Sequence, residues 1–326
     1  ATRNGLAVFI GSCLVSRVGL VSLSAGAYGE RGRVVLFLVT LAVIALIVAT
    51  ILRWIDHLSR LGRVGETTDR VEQATMKALK DRVLRPTLGG APLGIGDAAI
   101  PPSARQVTPR RIGYIQHIDV GALSALMERC DGRLFVTRLP GGFVHTSEPF
   151  AWLDSKFSEQ DDDDLIRRVR NAFTIDDERS FDQDPRFGLA VLAEIAARAL
   201  SPAVNDPGTA IDVIGRGVRL LSYWAEPWGI DSPSETIAHP RVFLPPLRSA
   251  DLFDDIFSPI ARDGAGMIEV QLRLQKGFRV LMGIGDDAFR RSARRHAQLA
   301  LERAEAAMTL KADQEQLRAL VTDNPH

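Results

Sequence analysis

The chain has 326 residues, 46% of them apolar and 25% charged, which leaves room for one or two packed domains and excludes a disordered or collagen-like polypeptide. Forty basic and forty acidic residues cancel to zero formal charge, which removes the whole-chain footprint of a nucleic-acid binder. Two cysteines, Cys13 and Cys130, cannot build a disulfide framework. No two of the six histidines lie three to five residues apart, so neither a metal site nor a cofactor is expected.

The first element is an apolar stretch over residues 6–23, interrupted by Arg17 and by the small residues Gly11, Ser12, Ser16 and Gly19. Small residues let helices approach closely. A guanidinium at mid-depth in a membrane is costly unless it faces a bundle interior, a water-filled cavity or an acidic partner, which makes Arg17 a candidate intramembrane polar residue. Glu30 and Asp56 fall at the expected interfaces, so the partner of Arg17 is expected in another subunit or in helices upstream. Residues 34–52, VVLFLVTLAVIALIVATIL, follow without a charge; as a helix they cover roughly 28 Å, close to the apolar thickness of a bilayer. Arg31, Arg33 and Arg53 flank them, and a buried soluble helix is the alternative. Two arginines precede this segment, while Arg53, Arg60, Arg63 and Arg70 follow it, which puts the long C-terminal body on the cytoplasmic side.

Residues 55–86 continue as a juxtamembrane helix with a seam at Leu58, Leu61, Thr68, Val71, Thr75 and Ala78, which packs either on the chain's own body or in an oligomer. Residues 87–109 are rich in glycine, proline and alanine and are expected to be a linker. Gly94-Ile-Gly-Asp97 and its recurrence at Gly283-Ile-Gly-Asp286 complete no dinucleotide fingerprint and are taken as turns. Over 110–155 short β-branched and aromatic runs predict a small β-rich subdomain. Its strands lie at 111–118, 133–139, 143–145 and 150–153, with one helix from Asp119 to Cys130. The run GGFVHTSEPFAWL resembles the hairpins of lipoyl-like small barrels but has no lysine to carry a swinging arm.

Residues 156–326 are expected to be helical. Asp161 to Asp164 precede a helix over 165–173, where carboxylates favour the positive helix end; a divalent-cation site is the alternative. The loop at 232–246 precedes helices over 250–262, 264–282 and 287–310, the last with a basic face at Arg290, Arg291, Arg294 and Arg295. Asp184 and Asp206, each followed by proline, are expected N-caps of helices over 185–200 and 207–224. Between these helices a turn gathers Ser201, Asn205, Asp206 and Thr209, which either hold the turn rigid or receive a ligand at the helix N-terminus. No nucleophile elbow, phosphate loop or paired-histidine motif argues for an enzyme.

The stretch FGLAVLAEIAARALSPAVNDPGTAIDVI, with GAYGERGRVVLF, RWIDHLSRLGRVGET and RIGYIQHID, resembles domain of unknown function family 2254, a family of predicted bacterial membrane proteins. The resemblance runs over nearly the whole chain. It implies a multi-pass protein of the bacterial inner membrane with further hydrophobic helices upstream, and it supplies no reaction or ligand. The expected fold class is therefore a mainly α membrane protein, in which two transmembrane helices (1–54) precede a cytoplasmic α+β region. That region comprises a small β-rich subdomain and a helical domain. The expected function is an oligomeric channel-like or transport-related assembly. A non-catalytic membrane-anchored scaffold or sensor is the alternative. The expected partners are the lipid bilayer, further copies of the chain and an unknown small ligand or ion, with no nucleic acid.

Overall fold

The computed structural model describes residues 30–61, 64–94, 100–155, 159–226 and 237–322. The helices among them are α1 (Glu30–Leu61), α2 (Val64–Leu84), α3 (Val120–Arg129), α4 (Glu159–Asn171), α5 (Pro185–Ala199), α6 (Pro207–Ala225), α7 (Ser249–Asp263), α8 (Ile268–Met282), α9 (Asp287–Ala307) and α10 (Lys311–Thr322). The strands are β1 (Gly90–Pro92), β2 (Arg105–Val107), β3 (Gly113–Ile118), β4 (Arg133–Val136), β5 (Phe143–Val144), β6 (Ala151–Asp154), β7 (Phe173–Asp176) and β8 (His239–Leu244). Internal contacts divide the chain into two compact units, Ala1–Thr67 and Thr68–His326.

In the first unit α1 runs for 32 residues and leaves large apolar side chains exposed, Phe37, Leu38 and Leu52 among them. The membrane-spanning part of the expected fold class is corrected here: among the described residues no helix is long and apolar enough to cross a membrane. Residues 6–23, and Arg17 with them, lie outside the described residues.

The second unit is α+β. Its larger sheet has the strand order β1-β8-β4-β6-β2, with β8 parallel to both β1 and β4, and with β6 antiparallel to β4 and β2. The smaller sheet, β5-β3-β7, is antiparallel throughout. Strand β6 therefore does not pair with β5, and the barrel-like hairpin suggested by 141–153 is replaced by strands of two sheets. The expected linker is also revised, because β1 and β2 within it form the two edges of the larger sheet. Short edge strands tolerate the glycine and proline that had suggested a linker. Strand β8, in the expected loop before α7, is an interior strand of that sheet, between β1 and β4, and its Val242 and Leu244 are both fully buried.

One apolar core, containing Ile115, Leu123, Leu134, Phe150, Leu153, Val169 and Val242, joins both sheets to α3 and α4. A second core joins α2, α5, α6, α7, α8 and α9 through residues such as Leu79, Leu192, Ile214, Phe253, Leu274 and Ala297. In α2 the seam residues Thr68, Val71, Thr75 and Ala78 are buried within this body. Gly188 of α5 meets Thr75 so closely that a Cβ there would overlap the threonine side chain. The same seam, continued by one helical turn, brings Arg82 into the interior.

Candidate functional site

A cleft of about 640 Å³ is lined by Arg82 from α2, the segment Thr137–Gly142 between β4 and β5, Arg179, the start of α5, and Pro245–Arg248 with Asp251. Five arginines face it: Arg82, Arg138, Arg179, Arg186 and Arg248. The lining carboxylates are Asp184 and Asp251. Glu148 lies 3.6 Å from Arg138, and Asp255 lies 2.6 Å from Arg186. Five guanidiniums thus meet four carboxylates, and the excess charge is positive.

Asp184 organises the cleft. Its carboxylate caps α5 by accepting from the Phe187 N–H at 3.2 Å, and it accepts from Arg179 Nε at 2.9 Å and Nη2 at 2.8 Å. Burial pushes its carboxyl up, against the opposing pull of Arg179, of the Phe187 N–H and of Arg186. The turn that covers it contains Gly141 at φ +88°. A Cβ at Gly141 would come within 2.5 Å of Asp184 Cγ, so both backbone conformation and space call for glycine there. Gln183 next to it clamps β3, accepting from the Ile118 N–H at 2.9 Å and donating to the Ile118 carbonyl at 3.3 Å.

Arg82 is 2% exposed. Its Nη2 donates to the Gln183 carbonyl at 2.9 Å, while its buried Nη1 has no hydrogen-bond partner among the described residues. Burial lowers its pKa to about 10, with Arg85 lowering it further and Asp184 raising it. The group therefore stays cationic at neutral pH, and a buried cation with an unmet donor is costly unless an anion completes it. Arg248, with its side chain 73% exposed, is held by Asp251 at 2.7 Å.

The four residues singled out by sequence do come together in one turn, where they serve helix termini. Asp206 accepts from the Thr209 N–H at 3.1 Å and from Thr209 Oγ1 at 2.6 Å, and these two bonds hold its carboxyl below the usual range. Ser201 Oγ donates to the Arg198 carbonyl at 2.7 Å, and Asn205 takes φ +50°. The Asp206 carboxylate caps the N-terminus of α6. His117 and His145 do not meet: the first bonds Asp182 at 3.0 Å and the second Ser147 at 2.7 Å. Asp161 to Asp164 lie inside α4 rather than before a helix. Among the described residues no group of three or more His, Cys, Asp or Glu is arranged to hold a metal.

With this geometry in place, the comparison with known proteins adds a family. The family described as predicted membrane protein, domain of unknown function 2254, matches residues 1–279. The chain belongs to this family. Similar proteins include uncharacterised proteins of Mycobacterium bovis and of Mycobacterium tuberculosis H37Rv, each 29% identical over 178 residues. A third, from M. tuberculosis CDC 1551, is 28% identical over the same length. The matches cover 54% of this chain and 34% of each relative, so the chain spans about a third of the length of these mycobacterial proteins. No solved structure matches it. This member of a family described as predicted membrane protein carries an arginine-lined cleft in the unit Thr68–His326.

Proposed function

We propose that this family member is a non-catalytic, membrane-associated sensor or scaffold that holds a small anionic ligand in the arginine cleft. The observation that carries the proposal is Arg82, buried beside the cleft with Nη1 unpartnered among the described residues. An anion there would satisfy the donor and offset the cost of the buried charge in one contact. The non-catalytic reading is supported by the state of the cleft's carboxylates. Asp184 and Asp251 are both engaged by guanidiniums, which suits binding more than proton transfer. The membrane association is supported by the family's description as predicted membrane protein. An inner-membrane setting with the body on the cytoplasmic side is part of the proposal, favoured by the arginines at 53, 60, 63 and 70. The channel-like alternative rests on Arg17, outside the described residues, and no observation favours it.

The test is thermal denaturation of the full chain in lipid nanodiscs with phosphate or pyrophosphate, against chloride at equal ionic strength. A ligand at a hundred times its Kd adds about 2.7 kcal/mol. The unit Thr68–His326 has 259 residues, so its unfolding entropy makes this a rise of about 5 °C in Tm. A saturable rise with either anion is expected. The same Tm in all three salts overturns the proposal.

A further inference from the structure

Resting on the anion-cleft reading above, we infer that the ligand is an organic phosphomonoester, whose phosphoryl group meets Arg82, Arg138 and Arg248 while an apolar part lies along the proline-rich wall. Size is the first reason. About 640 Å³ is in the range of cavities that enclose organic ligands, and far exceeds what a lone inorganic anion fills. The wall is the second. Leu139, Pro140, Pro245, Pro246 and Leu247 bring rigid apolar surface to the same cleft that carries the guanidiniums, so the matching ligand has two unlike ends.

The donors select the charged end. Arg82 offers an unpartnered Nη1, and Arg138 reaches Glu148 only at 3.6 Å, beyond hydrogen-bond distance. Arg248 is held on one side by Asp251 and is largely exposed. Three guanidiniums with donors to spare fit a group with three terminal oxygens and nearly two negative charges at neutral pH, which is a phosphomonoester. A carboxylate has two oxygens and one charge. It leaves more of the positive excess of the cleft unbalanced than a phosphomonoester does.

Such a group exists both on soluble metabolites and on the headgroup of phosphatidic acid, and the experiment separates the two. Binding to the full chain in nanodiscs of neutral lipid is measured by calorimetry with phenyl phosphate, inorganic phosphate and benzoate. The phenyl phosphate complex is then challenged with vesicles of phosphatidylcholine containing or lacking phosphatidic acid. Phenyl phosphate is expected to bind at least about tenfold more tightly than either of the others, since losing one charge-assisted contact or the apolar contact costs about a factor of ten. Arg138→Gln, at an exposed position that does not threaten folding, is expected to weaken phenyl phosphate by about tenfold and benzoate far less. Displacement by phosphatidic acid vesicles alone supports a lipid source, and no displacement supports a soluble one. Benzoate binding as tightly as phenyl phosphate overturns the phosphomonoester and leaves the anion cleft standing. Inorganic phosphate binding as tightly overturns the apolar end. Failure of all three to bind overturns the anion cleft itself.

Discussion

Replacing Gly141 by alanine tests how the cleft is built. Alanine at φ +88° costs about 1 kcal/mol in backbone conformation. Its Cβ would also sit within 2.5 Å of Asp184 Cγ, so either the turn or the carboxylate must move. Moving the carboxylate disturbs the cap on α5, worth about 1 kcal/mol, and lengthens the bonds from Arg179, worth about 1 kcal/mol more in a buried setting. The expected destabilisation is therefore about 3 kcal/mol. Urea denaturation of the full chain, followed by far-UV circular dichroism in detergent, reads this as a midpoint lower by about 1 M for a slope near 3 kcal/mol per M. In an Asp184→Ala background the collision is gone, and Gly141→Ala is expected to cost only its backbone share of about 1 kcal/mol. Equal costs in the two backgrounds would refute the contact between the turn and the carboxylate as the reason for glycine.

The remaining predictions concern the charges. Arg82→Met keeps the side-chain length but removes the buried cation; it is expected to leave stability within about 1 kcal/mol of wild type in anion-free buffer, or to raise it, while abolishing anion-induced stabilisation. A loss of several kcal/mol without ligand would make Arg82 a structural residue instead. For Asp184 the folded pKa lies above the unfolded one, so its contribution is fully present below the unfolded value, near 4, and is lost as pH rises through the folded value. Asp184→Asn is thus expected to gain stability relative to wild type between pH 4 and neutrality, and parallel urea midpoints across that range would count against the assignment. Asp206→Ala is expected to cost about 1 kcal/mol through the lost cap of α6, with anion binding unchanged; loss of binding in this variant would return the turn at 201–209 to the list of ligand sites.

Much of the helical body is legible in the residues because its signals are local. Asp184-Pro and Asp206-Pro start α5 and α6, and Asp119 caps α3 through the Ala122 N–H at 2.8 Å. The larger sheet is less legible. Strands β1 and β2 have three residues each, β1 and β8 carry proline, and all three are held by partners from 44 to more than 140 residues away, so neither alternation nor length announces them. Apolarity over 34–52 is equally plain in sequence, but the setting that covers the exposed side chains of α1 is not a property of the helix alone.

The cleft was hidden for a related reason. Its arginines come from positions 82, 138, 179, 186 and 248, and each one taken singly reads as a solvated surface charge. One of them does leave a trace. Thr68, Val71, Thr75 and Ala78 follow helical spacing on the buried face of α2, and the next position at that spacing is Arg82. A charge at a core position breaks the pattern that its own helix sets up, and natural sequences keep such a break where function offsets its cost. The unpartnered Nη1 makes that cost concrete, which is why the residue least suited to its place in the helix is the one from which the ligand argument starts.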